Sequence, residues 1–143
     1  MEIILNYING ALVEPADNSF LDNYSPSIGK VYSQIPDSNE KDVDLAYAAA
    51  NEAFASWSAT PKEERSKIMM RIADLIEENL EELAKAESMD NGKPVKLATH
   101  VDIPRAASNM RFFASAILHY ASESHDMDGI AINYTLRKPI GVV

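Results

Sequence analysis

Catalytic and cofactor sites are mostly built from cysteine, histidine, serine on a tight elbow and clustered glycine, and this chain is sparing with all of them. Cysteine is absent, which removes disulfides, thiolate metal ligands and a thiol nucleophile together. His100, His119 and His125 have no partner ligand at the helix or hairpin spacing that zinc requires. No Gly-x-Ser-x-Gly elbow occurs. A dinucleotide or phosphate site wants a glycine-rich turn, so that backbone N–H groups can approach the phosphates. Gly10, Gly29, Gly92, Gly129 and Gly141 are scattered instead. On the residues alone, the chain reads as an α/β piece with no complete active site.

Composition narrows the partners. The 143 residues suit about one domain, and 46% hydrophobic content is enough for a core. Thirteen basic against twenty-two acidic residues give a net charge of −9. That balance disfavours nucleic acid and anionic membrane surfaces, both of which need a basic face. The opening MEIILNYING has only a short apolar run and an acidic second residue. It reads as neither a signal peptide nor a span, so a soluble cytoplasmic protein is expected.

Elements follow from periodicity. Asn9-Gly10 between short apolar stretches predicts a tight hairpin. Phe20 to Tyr24 and Lys30 to Ile35 predict a second strand pair. From Val43 to Trp57 the period changes to that of a helix, with Val43, Ala46, Tyr47, Ala50, Phe54 and Trp57 on one stripe and Asp37 or Ser38 as its cap. Thr60-Pro61-Lys62-Glu63 reads as a capping box opening a second helix. Its expected buried stripe is Ile68, Ile72, Leu75, Ile76, Leu80 and Leu83, and Gly92 and Pro94 end it. A third helix is expected from Asp102 as cap, with Pro104 in its first turn. Its many alanines predict close approach to a neighbouring helix. Ser122 to Gly129 reads as a polar connection. Ile132, Tyr134 and Leu136 then alternate with polar residues as in a half-buried strand, and the chain stops within the apolar run Ile140-Gly141-Val142-Val143.

Specific words in the chain carry a resemblance. INGALVE, NYSPSIGKVYSQIP, the stretch AFASWSATPKEERSKIMMRIADLIEENLEELAKAESMDNGKP, and NYTLRKPIGVV resemble, in order, the N-terminal portion of the aldehyde dehydrogenase superfamily. Within it, VDIPRAASNMRFFASAILHYASE looks nearest to the dehydrogenases of 2-aminomuconic and 2-hydroxymuconic semialdehyde. The resemblance implies that the family's catalytic cysteine, general base, oxyanion-stabilising asparagine and nicotinamide-site turn lie beyond Val143. The expectation is therefore a truncated fold with small N-terminal hairpins, three main helices and a C-terminal strand arm. No catalytic residue and no cofactor are expected in this chain, with NAD serving the full-length family. Residues 1–128 would be the incomplete N-terminal part of the NAD-binding domain, and 129–143 the start of the oligomerisation arm.

The resemblance also implies roles for particular residues. Arg105, in the I-P-R word, would line the substrate channel and pair with a substrate carboxylate; otherwise it is a surface arginine with a partner such as Asp102. Asp90, with the backbone near Asn23 and Tyr24, would form part of a monovalent-cation site; otherwise it belongs to a helix stop. Ala131 to Val143 would support self-association. The rival readings are a self-associating interaction module and the first half of a split enzyme.

Overall fold

A computed structural model describes residues 2–143. Its N-terminal third consists of short strands: β1 (Glu2–Ile3), β2 (Asn6–Ile8), β3 (Ala11–Val13), β4 (Phe20–Ser25) and β5 (Lys30–Pro36). β2 and β3 form an antiparallel hairpin in which Tyr7 faces Leu12. Asn9 and Gly10 turn it, at φ of 52° and 79°, the paired positive values a two-residue turn of this hand requires. β5 pairs antiparallel with β4 and parallel with β1, giving the strand order β1-β5-β4.

Helix α1 (Glu40–Ala59) is capped by Asn39 rather than by Asp37 or Ser38. The Asn39 side chain accepts the Lys41 N–H, and the Asp42 carboxylate accepts the Asn39 N–H, each at 2.9 Å. The other two candidates are spent elsewhere. Asp37 accepts a bond from Ser19, and Ser38 pairs with the Asn6 amide. Asp42 is buried because its second oxygen also takes the Ala16 N–H at 2.9 Å, tying the loop after β3 to the helix start. The expected apolar stripe of α1 is not covered; Val43, Tyr47 and Trp57 are all exposed.

Thr60 does not open the next helix. Its hydroxyl donates back to the Ser56 carbonyl at 3.0 Å and its N–H to Trp57, so it closes α1 instead. α2 (Lys62–Glu78) starts after Pro61 without a side-chain cap. The long helix expected to reach Leu83 breaks at Asn79, whose amide donates to the Leu75 carbonyl at 2.8 Å. That is the competition with the backbone that disfavours asparagine inside helices. α3 (Leu80–Asn91) follows and ends at Gly92, at φ 79°. A Cβ at Gly92 would lie 3.0 Å from the Pro26 side chain. Glycine is needed there twice over, for its left-handed backbone and for the close approach of the β4–β5 turn.

α4 (Val95–Leu97), a π turn (Ala98–Asp102) and α5 (Ile103–His119) make one continuous helical run. Asp102 has helical dihedrals and makes no capping bond, so the expected helix start there is corrected. The π turn has a local cause. Pro104 has no N–H to give the carbonyl four residues back. The Ile103 N–H reaches Ala98, five residues back, instead.

The core lies between α2 and α5, and its buried residues are small. Ala73, Ala107 and Ala114 have no exposed surface. Ser66, nearly buried, donates its hydroxyl to the Ala114 carbonyl at 2.7 Å. The alanines of α5 do mark close helix approach. The stripe assigned to α2 does not do what was expected, since Ile68, Ile72 and Leu75 are 46%, 39% and 41% exposed. The small-residue face of α2 meets α5, and the branched face carries no covering element among the described residues.

A last hairpin joins β6 (Ser124–Asp126) to β7 (Ile132–Tyr134), with His125 opposite Asn133. Three residues of the expected polar connection are therefore strand, and the proposed boundary at 128/129 falls in the turn of the hairpin. Ile132, Tyr134 and Leu136 are exposed rather than half-buried.

Candidate functional site

The structure brings Asn23 and Asp90 together and adds a residue the sequence did not point to. β5 carries one extra residue against β4, because Asn23 pairs with Ser33 while Tyr24 pairs with Val31. The extra residue is Tyr32. Such a bulge re-aims side chains locally. The Tyr32 hydroxyl donates to Asp90 at 2.7 Å, and the Asn23 amide donates to the same carboxylate oxygen at 3.2 Å and to the Tyr32 oxygen at 2.9 Å. Asp90 lies at the end of α3, so the cluster ties that helix end to the β4–β5 pair. The Tyr24 side chain stands exposed to solvent.

These bonds set the charges. Donation from Tyr32, then from Asn23, holds the Asp90 carboxyl below its ordinary range. The bond to Asp90 holds the Tyr32 phenol above its own. A depressed carboxyl stabilises the fold above its unfolded pKa, near 4, and loses that contribution as pH falls through the folded value. Asp90→Asn is therefore expected to flatten the fall of the thermal midpoint with pH on the acid side of about pH 4. Midpoints followed by circular dichroism across that range check it; parallel curves for the two proteins would show that the cluster contributes nothing.

As a cation site the cluster is one-sided. A hard monovalent or divalent cation seeks several oxygens. Asp90 supplies one carboxylate, and its oxygen nearest Asn23 already accepts two donors. No group of three or more His, Cys, Asp or Glu able to hold a metal occurs among the described residues.

Arg105 lies in the first turn of α5, one residue after Pro104, with its side chain exposed. Asp102, the partner first considered for it, is taken. Lys93 lies 2.9 Å from Asp102 and 2.9 Å from Glu87. Its ammonium is held above the ordinary range by Asp102 first and Glu87 second. Lys93 thus stitches the end of α3 to the last residue of the π turn, and so fixes where α5 begins. Among the described residues, Arg105 itself makes no ion pair or hydrogen bond. An open groove of about 520 Å³ runs beside this junction, lined in part by Ile4, Tyr32, Leu83, Asp90 and Ile103. Tyr32 and Lys93 were not legible beforehand. Neither a bulge without glycine nor a bridge across the π turn has a short-range sequence signature.

Together these residues present an exposed guanidinium just after the π turn and an anionic carboxylate at the end of α3. The sequence profile of the aldehyde dehydrogenase family matches residues 12–143. The chain belongs to the aldehyde dehydrogenase family. As an aldehyde dehydrogenase segment it is 47% identical over 138 residues to 2-aminomuconic semialdehyde dehydrogenase of Bos taurus, covering 96% of this chain and 28% of that protein. It is 44% identical to acetaldehyde dehydrogenase 2 of Cupriavidus necator, covering 96% of this chain and 27% of that one. The backbone superposes on the crystal structure of PnpE in complex with nicotinamide adenine dinucleotide with a TM-score of 0.91 at 37% identity, covering 98% of this chain and 28% of that one. The chain thus spans about 28% of the length of these relatives, and it corresponds to the N-terminal portion of the aldehyde dehydrogenase fold. Gly10, Gly29, Gly92 and Gly129 stand in four separate turns. No described helix is long and apolar enough to cross a membrane.

Proposed function

We propose that this chain is the N-terminal segment of an NAD-dependent aldehyde dehydrogenase acting on a semialdehyde that carries a carboxylate at its far end. One observation carries the reading: among the described residues, Arg105 presents an exposed guanidinium with no intramolecular partner, just after a π turn whose last residue is held by Lys93. A guanidinium in that position can grip a carboxylate through two parallel bonds and stays charged at any working pH. The identity to 2-aminomuconic semialdehyde dehydrogenases supports the same substrate class. Residues 1–128 belong in this reading to the dinucleotide-binding domain, and 129–143 begin the oligomerisation arm. Asp90, with the backbone beside Asn23 and Tyr24, contributes one face of a monovalent-cation site.

By itself the chain is expected not to oxidise aldehydes. It has no cysteine to form a thiohemiacetal, and no turn to hold the dinucleotide. NADH absorbance, followed with NAD and a panel of aldehydes that includes a carboxylated semialdehyde, tests this. Sustained turnover proportional to protein would overturn it.

A second reading has its own support. The β6–β7 hairpin exposes Ile132 and Tyr134, and Leu136 and Ile140 beyond it are exposed as well. A free strand edge with apolar side chains invites pairing with another chain. The segment from Ala131 to Val143 is accordingly proposed as a self-association surface. Sedimentation of the chain at rising concentration would show a strict monomer if that is wrong.

A further inference from the structure

The far end of α5 carries a feature that the reading above does not use. A groove of about 650 Å³ lies between the start of α2, the last turns of α5 and the segment after β7. Three cations line it, Lys62, Arg65 and Arg137, and none of its lining residues is acidic. In a chain of net charge −9, an all-cationic groove runs against the general composition. Its remaining walls are mainly apolar, formed by Phe113, Ile117 and Leu136.

The cations are held in different ways. Arg65 is half-buried and lines the groove; its Nε is closed off from solvent and has no hydrogen-bond partner among the described residues. Arg137 lies over the Tyr120 ring, 4.5 Å from its centroid, which holds its guanidinium beside the groove, and its N–H donors meet no acceptor among the described residues. Lys62 donates to the Leu118 carbonyl at 3.1 Å and so points toward the α5 terminus. Positive charge and apolar walls therefore converge on one open space.

We propose that this groove binds a small organic anion with an apolar body, its carboxylate between Arg65 and Arg137 and its hydrocarbon against Phe113, Ile117 and Leu136. The groove is separate from Arg105. Ile117 lies twelve residues further along α5, about 18 Å at 1.5 Å per residue. The class of ligand follows from the lining. A bare inorganic anion would leave the apolar wall wet, and a neutral hydrocarbon would leave the cations unmatched.

Hexanoate is the probe. Isothermal titration of the 143-residue chain with hexanoate is expected to give saturable binding that weakens as salt is added. Hexanol, of equal length and without charge, is expected to bind at least about tenfold more weakly, because a charged hydrogen bond is worth more than 1.4 kcal/mol. Arg137→Gln, at an exposed position near the chain end, should weaken hexanoate by a similar factor with an unchanged far-UV spectrum. Arg65→Gln removes the second charge beside the proposed carboxylate, and should weaken binding as well. Equal binding of hexanol and hexanoate, full affinity in Arg137→Gln, or an unsaturable titration would each overturn the proposal.

Discussion

In the completed polypeptide, Arg105→Ala is expected to raise KM for a carboxylated semialdehyde by one to two orders of magnitude, on the order of 1.5–3 kcal/mol for a hydrogen bond to a charged group. Uncharged aldehydes of similar length should be nearly unaffected. The asymmetry comes from the geometry. Among the described residues the guanidinium has no partner of its own to release, so its binding energy is available to the substrate. Its anchor is equally specific, since Lys93 occupies Asp102 and removes the acid that would otherwise neutralise Arg105 from the preceding turn. Steady-state kinetics with paired charged and neutral substrates separate the outcomes. Equal losses for both would make Arg105 a structural residue, and no loss for either would make it an ordinary surface charge.

Overpacking the α2–α5 contact is expected to have the second large effect. Ala114→Leu adds three carbons at a fully buried position of the α2–α5 contact, where the Ala114 carbonyl receives the Ser66 hydroxyl. A fully buried alanine has no room for them, and such insertions typically cost about 1–3 kcal/mol. A domain of this size has only about 5–15 kcal/mol in all. The urea midpoint should fall accordingly. Ile68→Ala, on the uncovered side of the same helix, should shift the midpoint far less in this chain, although a buried isoleucine would cost about 2–5 kcal/mol. The reverse ranking would mean that the branched face of α2 is the covered one in solution.

That ranking shows how far the sequence could be read. The hydrophobic pattern of α2 identifies which side chains favour burial, but it cannot say whether anything is there to cover them. Ile68, Ile72 and Leu75 were assigned to a core on their period alone, and they stand exposed. The alanines of α5 were more informative. Ala107 and Ala114 are seven residues apart, two turns of a helix, and small residues on one line have few uses other than close approach. The first two hairpins were legible because Asn9-Gly10 and the strands around Gly29 are short-range signals; the third, β6–β7, was not. The α1 cap was not, because Asp37, Ser38 and Asn39 are all capable caps. The choice falls to the sheet, where the Asp37 N–H bonds to the Ser19 carbonyl and carries β5 one residue further.

The candidate site divides in the same way. Asn23, Asp90 and Arg105 were reached through resemblance, and the geometry shows what surrounds each. Tyr32 enters only because a bulge turns it toward Asp90. Lys93 enters only because the chain folds back at Gly92. Both depend on contacts between residues far apart or across an irregular turn, and no local pattern encodes them.

The π turn has a consequence for how this chain can change length. A π turn closes one full turn with one residue more than the α-helical turn it replaces. Loss of a single residue between Ala98 and Asp102 could therefore restore an ordinary turn and keep the run helical. The following helix would keep its bearing, as when a slack link is taken out of a chain. Ala107 and Ala114 would stay against α2, and Arg105 would point as before. The same loss further along α5 would turn everything after it by about 100°. The five residues from Ala98 to Asp102 are thus the place in this helical run where the chain can shorten without re-aiming the arginine that follows.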